Sequence, residues 1–355
     1  MSLKDRLANR KFEPSRVIGT GGAGGDAAIL IGDGRVERTC DLLDLPAGDA
    51  KAAQTALQKF HSVIVFDSDD RERATLDPVF AGDAPKIIET PASYRKLTSP
   101  SGREILEKIN TEPFVHLAAQ ANEEELLAGK ASDSEAEGCR FYGYVNGVIN
   151  VRLIQRQIAT AVESMRNLPG SKAWQLLTGL GLPLSDGSYR IDVCGSGAGG
   201  QASGILILVL ALLAREIEDI RSQCKVHVHF LAPGFHAAQN ETEALEQRVK
   251  SLSLLRDLAA MKVADRPLEI PYPGGNLTLR SRYTSEIFNY LTIYEPRPTD
   301  SDVYKSFLNQ VTQTVLDSTL SVSAADLRRA LSNANSLARS TFAQKHLAAV
   351  VGGKR

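Results

Sequence analysis

The 355-residue chain holds four cysteines, Cys40, Cys139, Cys194 and Cys224, with no CxxC pair among them. That spacing excludes the usual zinc modules and a disulfide framework. A chain of this length buries a sizeable core without such staples. It also lacks a charge bias: 41 basic residues against 42 acidic ones leave a net charge of -1. Nothing in that balance points to a nucleic-acid or membrane partner. Long apolar runs are missing as well. The longest, Ile205 to Ala214, falls well short of the roughly 20 residues that span a bilayer. The N-terminal MSLKDRLANRKFEPSR has no apolar h-region, so it does not read as a signal peptide. No GxxxxGK[ST] occurs, which excludes a P-loop, and neither an internal repeat nor a low-complexity tract is present. These absences leave a globular protein, expected in a reduced, cytoplasmic setting.

The patterning alternates strands and helices. Arg16 to Ile18, His61 to Phe66, Tyr189 to Val193, Lys225 to Leu231 and Glu286 to Tyr294 read as strands. Helices are expected from Asp26 onward and over Val148–Met165, Ile205–Ile220, Glu241–Met261, Asp300–Thr319 and Ala324–Ser340. Pro271 to Asn276 reads as a turn-rich connector, and the acidic stretch Asn122 to Glu137 as a loop or exposed helix. Strand–helix alternation predicts an α/β fold: a mostly parallel sheet with helices on both faces.

Two glycine-rich segments each join a strand to a helix. The first is Gly19-Thr20-Gly21-Gly22-Ala23-Gly24-Gly25-Asp26, and the second runs from Gly195 to Gly204. Such a loop aims backbone N–H groups outward at a helix N-terminus, where the dipole favours an anion. Glycine lets the backbone approach that anion closely. One loop alone fits GxGxxG through Gly19, Gly21 and Gly24, a weak signal shared with dinucleotide-binding folds and with simple packing turns. Two loops suit a triphosphate held from both sides.

Six motifs occur in the order found in the tubulin/FtsZ superfamily. IGTGGAGGDA resembles the first nucleotide loop of FtsZ. Ser196-Gly197-Ala198-Gly199-Gly200-Gln201-Ala202-Ser203-Gly204 resembles the tubulin signature, and most of all the SLAGGTGSG form of bacterial tubulin-like proteins. Val63 to Asp69 (VIVFDSD) is similar to the second strand and its loop, and Gly138 to Gly143 (GCRFYG) to a third phosphate-side loop. Asp300-Ser301-Asp302-Val303-Tyr304-Lys305 resembles the start of the central helix, where a polar pair meets the guanine base. Leu320 to Arg328 is similar to the loop that reaches the neighbouring subunit's nucleotide.

This resemblance implies a Rossmann-like tubulin/FtsZ nucleotide-binding domain over 1–320, followed by an interfacial loop and helix over 321–355. It implies GTP or GDP as ligand, with Mg2+ as a companion. Phosphates would be held by Gly19 to Asp26, Arg140 and Gly197 to Ser203. Asp67, Ser68 and Asp69 would serve ribose or a magnesium water. Ser301 and Asp302 would face the base, and Asp326 would orient the attacking water. Head-to-tail self-association into filaments of cytoskeletal type is the implied assembly.

Three departures matter. Gln201-Ala202 stands where the family has Thr-Gly. Ser321 and Ser323 replace two polar anchors of the interfacial loop, leaving Asp326. Only about 29 residues follow Asp326, too few for a second domain. The first two point toward slow hydrolysis or none and keep open a non-hydrolysing scaffold that binds protein partners; the third counts against filaments, since that domain supplies part of the usual contact surface. A Rossmann oxidoreductase, with NAD on Gly19 to Gly24 and ribose on Asp67, is the third reading.

His227, His229 and His236 lie within ten residues. Residues 227 and 229 share one face of a strand, so a metal is conceivable, although no nearby carboxylate is evident and strand histidines more often pack. Cys194 reads as a small buried residue rather than a nucleophile. Arg140 suits a bidentate contact with a phosphate oxygen or the place of an exposed structural arginine equally, and Asp69 would cap a helix as readily as bind a ligand.

Overall fold

The structure is a computed structural model that describes residues 11–43, 47–67, 92–97, 140–234, 241–263, 268–272, 275–279, 287–296 and 303–320. Its centre is a six-stranded sheet. The strands are β1 (Ser15–Thr20), β2 (His61–Asp67), β3 (Ala92–Lys96), β4 (Tyr189–Ser196), β5 (Cys224–Leu231) and β8 (Tyr290–Tyr294). They run in the order β3-β2-β1-β4-β5-β8, and every neighbouring pair is parallel. Strands buried on both faces read as near-continuous apolar runs, and the β-branched HSVIVFD of β2 is one.

Helices cover both faces. One face carries α4 (Val151–Arg166), α6 (Gly200–Glu216) and α7 (Glu241–Val263), packed through Ile154, Ile158, Leu206, Val209 and Leu258 on Ile18, Ile191, Val193 and Val228. The other carries α1 (Gly21–Leu43) and α8 (Val303–Leu320), through Ala27, Ile31, Phe307 and Val311 on Val17, Val63, Val65 and Leu231. A smaller cluster joins α2 (Ala47–Phe60) and α5 (Lys172–Gly179) around Leu57, Phe60 and Leu177. GILILVLALLA in α6 is apolar on all sides, as a helix buried on all sides must be. Among the described residues no helix is long and apolar enough to cross a membrane.

The structure revises four sequence-based boundaries. α1 begins at Gly21, five residues before the expected Asp26. The helix expected from Val148 is two: α3 (Arg140–Ile149) and α4 meet at Asn150, whose side chain donates back to the Asn146 carbonyl at 2.7 Å. The apolar run from Ile205 extends back through the glycines to Gly200 and stops at Glu216, before a 3-10 turn over Glu218–Gln223. Of the expected connector at 271–276, the described residues 271–272 and 275–276 are strand: β6 (Leu268–Tyr272) pairs antiparallel with β7 (Gly275–Leu279). Alternation in LEIPY and NLTL is the period-2 signal that the prolines and glycines masked.

Candidate nucleotide site

In a parallel sheet of this kind ligands bind beyond the carboxyl ends of the strands, where the strand order reverses. Here the reversal falls between β1 and β4, since β2 and β3 follow on one side and β5 and β8 on the other. The two glycine-rich loops leave those two strands. Thr20 pairs with Gly195 at their shared edge, and Thr20 Oγ1 donates to the Cys194 carbonyl at 3.1 Å. Gly21 lies at φ +66, a left-handed conformation that disfavours any Cβ. A Cβ there would stand 2.9 Å from that of Ala202. The loops predicted to share one ligand therefore touch.

The glycines divide into two groups. A Cβ on Gly24 would meet the Cys194 carbonyl oxygen at 2.6 Å, and one on Gly25 would meet Val65 Cγ1 at 2.7 Å. Both let α1 lie directly on the sheet. Gly197 is pressed against Ser251 and Phe230 in the same way. Gly199 is different: it is exposed, and among the described residues nothing lies within 4 Å of where its Cβ would be. It is the N-cap of α6 and supplies no side-chain cap, so the first N–H groups of that helix have no such partner.

Side chains around the loops are largely held by the protein. Asp26 is buried and accepts a hydrogen bond from the Tyr304 hydroxyl, which ties α1 to the start of α8. Asp67 closes β2 at the same sheet edge and is also buried. Ser203 Oγ turns back to the Gly200 carbonyl at 3.1 Å. Gln201 is buried, and its Oε1 accepts from Asn146 Nδ2 of α3 at 3.2 Å, while its Nε2 finds no partner among the described residues. Arg140 takes the structural arrangement: Nε donates to the Ser203 carbonyl at 3.1 Å, and the other nitrogens reach Ser253 and Asp257 of α7. Ser68, Asp69, His236, Ser301, Asp302 and Asp326 lie outside the described residues.

The strand histidines have the carboxylate that sequence reading missed. Asp192 pairs in register with His227 on the neighbouring strand, and its ligand atoms lie within 4.8 Å of those of His227 and His229. They form a charge network rather than a metal centre. Asp192 accepts from Arg35 NH2 at 2.6 Å, from Arg190 Nε at 2.9 Å and from His229 Nε2 at 2.8 Å. Both carboxylate oxygens are thus engaged, and two guanidinium charges oppose a further cation. Burial pushes the Asp192 carboxyl up, but Arg190, Arg35 and His229 outweigh it and hold the group well below the usual carboxylate range. Burial pushes the Cys194 thiol up, as befits a packed residue rather than a nucleophile.

The hydrogen bonds and the burial suit neutral imidazoles. His229 donates through Nε2 to Asp192, and its Nδ1 accepts from the Tyr294 hydroxyl at 2.9 Å. His61 Nδ1 meets Ser15 Oγ at 2.7 Å, while Arg35 donates to the same oxygen. Burial lowers the pKa of all three histidines, that of His227 to about 2. The unfolded chain takes up these protons below about pH 6.5, whereas in the native state His227 stays neutral and His61 and His229 take theirs up only at lower pH. Stability is therefore complete above that pH and falls as the solution is acidified, by up to about 1.4 kcal/mol per pH unit for each histidine. Urea midpoints measured between about pH 7.5 and 5.5 should decline steadily, and a flat profile would contradict the neutral, buried assignment.

Comparison with known proteins is consistent with this geometry. No curated protein matches the chain. A family model described as tubulin-like matches residues 17–348, from the first strand through both glycine loops and beyond α8. With that match over nearly the whole chain, and with a parallel sheet whose two loops meet at the switch point, the protein belongs to the tubulin-like family.

Proposed function

We propose that the protein binds a guanine nucleotide at the carboxyl edge of the sheet, between the loops that follow β1 and β4. The carrying observation is the contact of Gly21 with Ala202 at the switch point. The exposed Gly199, the start of α6 without a side-chain cap and the Gln201 Nε2, which has no partner among the described residues, provide N–H donors suited to phosphate oxygens. On this reading Gly21, Gly22, Gly199 and Gly200 present backbone to the phosphates, and Gly24 and Gly25 seat the helix that does so. Asp67, with Ser68 and Asp69, would serve the ribose or a magnesium water. Ser301 and Asp302 would face the base; a carboxylate can accept from both N1–H and the 2-amino group of guanine. Asp326 would act across a head-to-tail contact, a heterologous interface that builds open filaments. Equilibrium binding of labelled GTP and ATP tests the claim: GTP should bind in preference, and an ATP preference or no GTP binding would defeat it.

A scaffold reading keeps the fold without turnover. It is favoured by Gln201, whose carbonyl is committed to Asn146 where the family has a threonine hydroxyl. Phosphate release separates the two. Turnover that rises with protein concentration and disappears in Asp326→Ala marks an interfacial GTPase; a flat background marks the scaffold.

A further inference from the structure

Five large apolar side chains are exposed among the described residues, and three of them sit on α7: Leu245 at 61%, Val249 at 56% and Leu252 at 60%. Scattered exposed apolar residues carry no message, but these recur at i, i+4 and i+7, the spacing of a coiled-coil seam. They are not the helix's core face. That face is formed by Ser251, Leu254, Leu258 and Met261, which are buried. The helix therefore has a second, outward apolar stripe.

Charge along α7 is segregated by sign. Its first two turns carry Glu241, Glu243 and Glu246 with no base. From Arg248 onward it carries Arg248, Lys250, Arg256 and Lys262 against one acid, Asp257, which is paired with Arg140 and lies 3.7 Å from the exposed Arg256. Such an order suits the helix dipole, but the dipole explains no apolar stripe between the charges. A membrane surface is a poor fit, because the acidic half would face anionic headgroups. A second copy of the same helix running antiparallel fits both features. Leu245 then opposes the partner's Leu252, and Glu241 opposes the partner's Arg256. The contact is isologous, so each pair occurs twice. A parallel arrangement would instead set glutamate against glutamate.

We infer that α7 is a self-association surface through which two copies of this chain pair by an antiparallel, two-fold helix contact. This contact differs in symmetry from a head-to-tail interface and does not need nucleotide. Sedimentation velocity on the nucleotide-free full chain, over a wide concentration range, should show a monomer–dimer equilibrium. Leu252→Asp should weaken dimerisation about tenfold or more by placing a charge in the seam against the partner's Leu245 and its acidic first turns. Arg256→Glu should weaken it about fivefold, since two exposed pairs become repulsive. Adding Glu241→Arg to Arg256→Glu should restore it, because the swap re-creates both pairs. Melting curves will confirm that these surface variants fold as the wild type does. A monomer at every concentration, an unchanged equilibrium in Leu252→Asp, or a charge swap that fails to recover dimerisation would each overturn the inference.

Discussion

Asp192→Asn is expected to remove about 3–5 kcal/mol of folding stability, the range seen when one partner of a buried ion pair is lost. The substitution keeps the side chain's shape, so the effect is electrostatic. Asp192 is fully buried and neutralises Arg35, which is itself almost fully buried, as well as Arg190. An amide cannot balance two guanidinium charges, and its NH2 group would face their donors. His229 would also lose the carboxylate that accepts its Nε2 proton. Removal of one arginine is a milder change: in Arg35→Met the carboxylate keeps Arg190 and His229. Urea denaturation should therefore rank Asp192→Asn well below Arg35→Met, with a melting temperature lower than wild type by roughly 10 °C. A loss under about 1 kcal/mol for Asp192→Asn would mean that the cluster is hydrated or otherwise compensated. The position matters because the pair joins α1 to β4, the two elements that carry the glycine loops.

The sequence made the frame legible and left the pairings hidden. Strand–helix alternation and the two glycine loops correctly indicated a parallel sheet with helices on both faces, since those signals are local in the chain. That His227 and His229 share a face was equally local. Their partner was not: Asp192 meets His227 only through the register of β4 on β5, strands joined by a long helical crossover. A signal was present in Arg190-x-Asp192 and His227-x-His229, alternating polar positions inside otherwise apolar strands. A strand with polar groups on one buried face must find partners on its neighbours. The glycines show the same limit. Sequence shows that Gly24, Gly197 and Gly199 lack side chains, but only the packed structure shows what, if anything, fills the space beside each.

That distinction yields the sharpest pair of variants. Gly204→Ala is expected to destabilise the fold by about 3 kcal/mol or more, at the upper end of overpacking effects. Its Cβ would stand 2.2 Å from the Tyr144 nitrogen, 2.4 Å from the Gly143 carbonyl carbon and 2.6 Å from the Arg140 carbonyl oxygen. All three are backbone atoms of α3, so no side chain can swing away and the two helices must separate. Separation would stretch the Asn146–Gln201 and Arg140–Ser203 hydrogen bonds that hold α3 against the start of α6. Gly199→Ala, five residues earlier in the same motif, should stay within about 1 kcal/mol of wild type, the scale of a poorer N-cap. Its backbone is extended, at φ -78 and ψ 144, and the added methyl meets nothing within 4 Å among the described residues. If phosphate approaches α6 from that open side, the methyl will obstruct it, and GTP affinity should fall about tenfold or more in a protein of normal stability. Denaturation midpoints and GTP titrations on the two variants separate packing from ligand contact. Unchanged GTP affinity in Gly199→Ala would show that the open edge of the second loop is not the side on which phosphate binds.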